Sequence, residues 1–179
     1  PDFSQVEADQ SQININSTTA LRFEEKRIFF NEGKDFLSSD LATVYTRSIN
    51  DPEYAIKLYN RGEKHSYYFL DAEDATTPII VPGYQRSYSG LLGRSHANIF
   101  SYNYNIEKGQ NIGFLATNRD YEEGGANTLY SLKGNFLFNE IYRTRFELVS
   151  TDMDEPISNV INTSNVSKEH TYNLDGESF

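Results

Sequence analysis

At 179 residues the chain is long enough for one domain with its own core and too short for two comfortable ones. Its 26 acidic residues against 16 basic ones, a formal charge of −10, leave no basic stripe to neutralise phosphates and argue against a nucleic-acid partner. With no cysteine, neither a disulfide framework nor a thiolate metal site is available.

No run approaches the ~18 apolar residues of a membrane helix. A mean hydropathy of −0.63 still admits a membrane β-barrel, because such strands are only half apolar. The composition carries 13 Tyr and 12 Phe with no Trp and one Met, a bias that reads as strand rather than helix. The chain starts at Pro1 and stops in "NLDGESF", which reads like the start of an element, so residues 1–179 are expected to be one segment of a larger barrel.

In chain order, "SQININST" sets Ile13 and Ile15 against Gln12, Asn14 and Asn16, the period of a strand. Segment 20–40 breaks that period and reads as a short helix, a plug or an irregular hairpin. Its charge cluster, Arg22, Glu24, Glu25, Lys26, Arg27 and Glu32, lies beside Phe23, Phe29 and Phe30. Inside a barrel such a cluster would form an ion-paired plug, since charges in membrane proteins face the interior; an exposed amphipathic turn is the equal alternative.

Six alternating runs follow. "EYAIKLYN" opposes Tyr54, Ile56 and Leu58 to Ala55 and Lys57; 65–71 and 111–118 are less regular but rich in β-formers. "ANIFSYNYNI" opposes Phe100, Tyr102, Tyr104 and Ile106 to Ser101, Asn103 and Asn105. "LYSLKGNFLF" and "YRTRFELVS" put Tyr130, Leu132, Phe136, Phe138, Tyr142, Phe146 and Leu148 on one face, and Lys133, Arg143, Arg145 and Glu147 on the other. Short connections ("RGEK", "EKGQ", "NEI") alternate with long ones at 72–97, 119–127 and 151–171. The expected fold is therefore all-β, an antiparallel up-and-down meander forming part of a transmembrane β-barrel.

Alternation alone does not say which face is outside, and a lipocalin-like barrel or soluble β-sandwich shares the period. The aromatic character of the apolar face, the Asn/Ser/Lys/Arg character of the other, and strands of about 9–11 residues favour lipid outside and water inside. Asn103, Asn105, Lys133, Arg143, Arg145 and Glu147 are then the lumen-facing candidates, and a basic strip of Arg47, Lys57, Lys133, Arg143 and Arg145 opposing the acidic loops would tune solute preference.

For catalysis the sequence offers little. His65, His96 and His170 sit in no metal spacing, and neither a nucleophile elbow nor a phosphate loop is present. Acidic residues recur in the long connections; Asp120, Glu122, Glu123, Asp152, Asp154 and Glu155 are candidates for Ca²⁺ or Mg²⁺, against a plainer reading as solvated loop tips. A glycan hydrolase acting through loop carboxylates is a further alternative, though no pair stands out.

The blocks "PDFSQVEADQSQININ", "EEKRIFFNEGKDFL", "VYTRSINDPEYAIKL" and "IGFLATNRDY…NTLYSLKGNFLF" resemble, in that order, a family of bacterial exported proteins. There an N-terminal module like family-nine carbohydrate-binding modules precedes a large C-terminal domain of unknown function, taken to be an outer-membrane β-barrel. The resemblance implies a Gram-negative outer-membrane location, a lipid bilayer and lipopolysaccharide as partners, and an oligosaccharide as a ligand of the whole protein. It supplies no catalytic residues to carry over; no cofactor is expected beyond the candidate Ca²⁺ or Mg²⁺ at the loop carboxylates. "EEKRIFFNEG" departs from the family pattern, which has Pro and Leu near the positions of Ile28 and Asn31.

Overall fold

Tight turns convert the alternation into pairing. Gly62 N–H donates to His65 O at 3.0 Å, Ile106 N–H to Gln110 O at 2.9 Å, and Ile141 N–H to Phe138 O at 3.1 Å. Gly109 occupies the left-handed region at φ 74°, where a Cβ would be strained. These turns close three hairpins in a computed structural model that describes residues 25–81, 88–107, 109–122, 124–139, 141–154 and 176–178. The expected strand around Ile13 and Ile15 lies outside the described residues.

The long strands are β1 (Pro52–Arg61), β2 (His65–Asp74), β5 (Ser95–Asn105), β6 (Asn111–Tyr121), β7 (Ala126–Phe138) and β8 (Tyr142–Asp154). They form one open antiparallel sheet in the order β1-β2-β5-β6-β7-β8, and the short β9 (Gly176–Ser178) adds to the β8 edge. The chain is thus all-β, with six up-and-down strands. Two connections differ from expectation. The stretch 72–97 is not a plain loop: β3 (Thr77–Val81) and β4 (Tyr88–Leu92) pair there as a separate hairpin. The connection expected at 119–127 shrinks to 122–125, because β6 and β7 run on until Tyr121 N–H meets Gly125 O at 3.1 Å. At that position the alternation of short and long loops is lost.

Period 2 decides what each face carries. Tyr68, Leu70 and Ala72 of β2, Ala97 and Ile99 of β5 and Leu115 of β6 share one face and are buried. They are covered by the segment before β1, through Phe30, Phe36, Leu37 and Ile49. This segment is irregular: one helical turn, α1 (Ile28–Asn31), and two 3₁₀ turns at Lys34–Leu37 and Thr46–Ser48. It continues beyond residue 40 to the start of β1. The opposite face keeps its large apolar side chains accessible: Leu58 is 59% exposed, Phe100 41%, Tyr130 53% and Leu148 51%.

Candidate functional site: an inner strap and an outer apolar face

An irregular segment laid on a sheet must find partners for its main-chain groups, because no ladder supplies them. Here the inner-face side chains do so. Lys57 Nζ of β1 donates to the carbonyls of Phe29 and Glu32, Ser101 Oγ of β5 to Phe36 O at 2.8 Å, and Lys133 Nζ of β7 to Ser38 O. Arg119 of β6 donates to Ser48 O at 3.1 Å. Asp74, at the end of β2, accepts from the N–H groups of Asn50 and Asp51. Glu147 of β8 accepts from Ser39 Oγ at 2.6 Å and from the N–H groups of Asp40 and Leu41 at 2.8 and 3.2 Å. Each of the six long strands holds the strap at one point or more.

The strap has a polar knot of its own. Arg27 makes a bidentate pair with Glu25, Nε to Oε1 at 2.9 Å and Nη2 to Oε2 at 2.8 Å, and both residues are buried. Arg27 Nη1 also donates to Ile49 O at 2.6 Å, closing the strap on its own far end, and the guanidinium lies 4.1 Å from the Phe30 ring centroid. Thr46 Oγ1 donates to Glu25 Oε2 at 2.8 Å. Burial would raise the Glu25 carboxyl. The hydrogen bonds and charge of Arg27, with the Thr46 hydroxyl, outweigh it and hold Glu25 below the usual carboxylate range.

The six residues read from the sequence as lumen-facing, Asn103, Asn105, Lys133, Arg143, Arg145 and Glu147, all lie on the strap side by strand parity. Their roles divide. Lys133 and Glu147 hold strap backbone, and Arg145 sits 3.7 Å from Asp40. Asn103 and Arg143 line a cavity of about 310 Å³ between residues 35–40 and strands β5 to β8. Asn105 instead reaches the first hairpin, donating to Glu63 O at 3.1 Å.

Of the charge cluster expected around residue 25, Glu25 and Arg27 are the buried pair and Lys26 is exposed. Glu32 meets Lys57 at 3.2 Å, and Arg22 and Glu24 lie outside the described residues. Sequence reading missed Ser101, Asp74 and Arg119 as docking residues. The available signal was parity: Asp74 continues the series Tyr68, Leu70, Ala72, so an acid there had to be satisfied on an apolar face.

Among the described residues, no group of three or more His, Asp or Glu side chains is placed to hold a metal ion. Asp120 engages Asn118 Nδ2 at 2.7 Å, Asp152 and Asp154 lie at the end of β8, and Glu122 follows β6; Glu123 and Glu155 lie outside the described residues.

The other face is aromatic. Cross-strand pairing sets Leu58 beside Phe69, Phe69 beside Phe100, Tyr102 beside Phe114, and Leu132 beside Leu148. Phe114 and Tyr130 stack at 6.4 Å, Phe136 and Phe146 at 6.1 Å. The last pair folds over Gly134, where a Cβ would come within 2.5 Å of the Phe146 ring. Towards the longer connections the same face turns polar, with Asp71 held 3.0 Å from His96 Nε2 and Asn98, Asn118, Thr128 and Asp152 in register.

Against known proteins, one family matches: Domain of unknown function (DUF5916), over residues 1–68. Within the described residues the match covers the strap, β1 and the first part of β2. No curated protein and no solved structure matches the chain.

Proposed function

We propose that this chain is a membrane-embedded, non-catalytic portion of an outer-membrane β-barrel, with the strap lying on its lumen side as a plug. One observation carries the reading: the face rich in Phe, Tyr and Leu keeps its large side chains accessible, whereas the opposite face, where Ser101, Asn103 and Lys133 flank a small core of Tyr68, Leu70, Ile99 and Leu115, is covered by the chain's own strap. A lipocalin-like or sandwich module buries its apolar face inside. A membrane barrel does the reverse.

Strand lengths of 10 to 13 residues support the reading, since about 9–11 tilted residues cross the hydrocarbon layer. Lipid tolerates no unpaired strand edge, so the reading requires strands to pair with the free edge of β1 and along the rest of β8. The link to carbohydrate handling and to a Gram-negative outer membrane, with lipopolysaccharide as neighbour, rests on the sequence resemblance alone.

The test is behaviour with and without amphiphile. Refolded into detergent micelles, the intact protein that carries this chain is expected to be β-rich and to change electrophoretic mobility on heating; without detergent it is expected to aggregate. A monodisperse, detergent-free monomer that melts cooperatively would overturn the reading in favour of the soluble module.

A further inference from the structure

Resting on the membrane reading above, we infer that the strands cross the bilayer tilted by about 44°, so that lipid contact runs diagonally across the outer face, from Ile56 on β1 to Phe146 on β8. The ladder itself supplies the ruler. Pairing places Ile56, Asp71, Asn98, Asn118, Thr128 and Asp152 in one row across the six strands. If the strands stood upright, these six side chains would share one depth. Only Ile56 among them suits hydrocarbon.

Measured from that row, the centre of each strand's large apolar residues moves in one direction, towards the hairpin turns. On β1 it is Ile56 itself, between Tyr54 and Leu58. On β5 it is Tyr102, and on β8 it falls between Tyr142 and Leu148. The displacement is about three residues on β2, four on β5, five on β6, six on β7 and seven on β8. It never reverses.

A drift of about seven residues over five strand steps is roughly 1.4 residues per strand. At about 3.3 Å per residue and about 4.8 Å between strands, the apolar band crosses the hydrogen-bond direction at about 44°. Membrane barrels tilt their strands by roughly 35–45° for reasons of closure, and a flat bilayer cuts such strands along this diagonal.

The sense of the drift agrees as well. Gly62 N–H donates to His65 O, so the outward pair Leu58 and Phe69 exchanges hydrogen bonds. For L-residues this puts β1 to the right of β2, seen from the apolar side with the hairpin turns down. The drift then follows the right-handed tilt that strand twist imposes. A protein layer packed on this face would give no reason for a progression that keeps one sense across all six strands, three residues at the first step and one at each later step, whereas a planar slab does.

With no native cysteine, spin labels can be placed one at a time on the full chain, at Ile56→Cys, Phe146→Cys and Asp152→Cys, in phosphatidylcholine/phosphatidylglycerol vesicles. Collision with oxygen and with a water-soluble nickel chelate reads depth. Ile56 and Phe146 are expected at one depth in the hydrocarbon, and Asp152, the ladder neighbour of Ile56 across the sheet, in water. Equal depth for Ile56 and Asp152, with Phe146 elsewhere, would overturn the tilt while leaving a membrane protein. Full nickel access at all three sites would overturn the membrane reading and the tilt with it. Leu58→Cys and Tyr142→Cys, eight ladder positions apart because Leu58 shares its row with Ser150, yet expected at nearly equal depth, provide a second pair should the first fail to fold.

Discussion

Glu147 and Ser39 are 108 residues apart in sequence and share a hydrogen bond of 2.6 Å. The same carboxylate accepts from Ser131 Oγ at 2.8 Å and from the N–H groups of Asp40 and Leu41. One side chain on the last long strand therefore fixes the strap that precedes the first. Glu147→Ala would leave two main-chain donors and two hydroxyls without their acceptor. Because hydrogen bonds to a charged group contribute about 1.5–3 kcal/mol each and are not additive, a loss of about 2–4 kcal/mol is expected in chemical denaturation. Amide exchange at residues 40 and 41 should accelerate in the same variant while the β2–β5 ladder stays protected.

Arg27 sets the second prediction. Removing the guanidinium in Arg27→Met leaves the buried Glu25 carboxylate without its bidentate partner, a change expected to cost about 3–5 kcal/mol near neutral pH. The pH dependence changes sign. In the parent chain the folded-state value of Glu25 lies below its unfolded one, so its contribution is present above the ordinary carboxylate value of about 4.3 and fades as pH falls through the depressed value. In Arg27→Met, burial is opposed only by the Thr46 hydroxyl and the residue 27 N–H and raises that carboxyl, so the deficit should shrink as the pH is lowered towards about 5. Thermal midpoints of both proteins between about pH 3 and 7 measure the reversal.

Much of the sheet was legible because period 2 is a strong local signal: the turn chemistry of "RGEK" and "EKGQ" and the alternation at Phe100–Ile106 place hairpins directly. The division of residues between the two faces follows from the same parity, as Ser101 beneath Phe36 and Phe100 on the accessible side illustrate. The strap was not legible in the same way. Its conformation is set by partners such as Lys57, Lys133 and Glu147, which lie 25 to 108 residues away in sequence, and no local periodicity encodes such contacts. The hairpin β3–β4 was hidden for a different reason, because Pro78 and Gly90 weaken the strand signal at positions that pair regardless. Extension of β6 and β7 into the expected loop reflects ladder propagation through Arg119 and Asn127, residues that propensity alone assigns to coil.

Gly134 offers a packing test. Strand propensity favours Val over Gly at a central strand position, so a propensity argument expects Gly134→Val to stabilise. The structure argues the opposite, since the added Cβ would meet the Phe146 and Phe136 rings at 2.5 and 2.7 Å and would part a pair stacked at an interplanar angle of 14°. A loss of about 1 kcal/mol is expected, the low end of the overpacking range, because both rings lie on the accessible face and can turn aside. Gly134→Val with Phe146→Ala should recover part of it, and a double-mutant cycle from urea titrations measures the coupling.

Leu132→Arg separates the environments of the outer face most directly. In water, an exposed surface substitution away from special features shifts stability by no more than about 0.5 kcal/mol. Leu132 is 39% exposed and touches no charged neighbour in its ladder row, which runs Phe114, Leu132, Leu148. On a lipid-facing strand near the bilayer middle, the same arginine costs about 2–4 kcal/mol, falling to about 0–1 kcal/mol near the interface. Leu132→Arg is therefore expected to lower stability in vesicles by the larger amount, and Thr128→Arg, on the same face and strand but four residues nearer the polar edge, by the smaller. Unfolding of both variants from vesicles, followed by tyrosine fluorescence against urea, gives the difference. Because Thr128→Arg also removes the Thr128 Oγ1 donor to Asn118 Oδ1, a Thr128→Val control is subtracted before the two losses are compared as the gradient of polarity along β7.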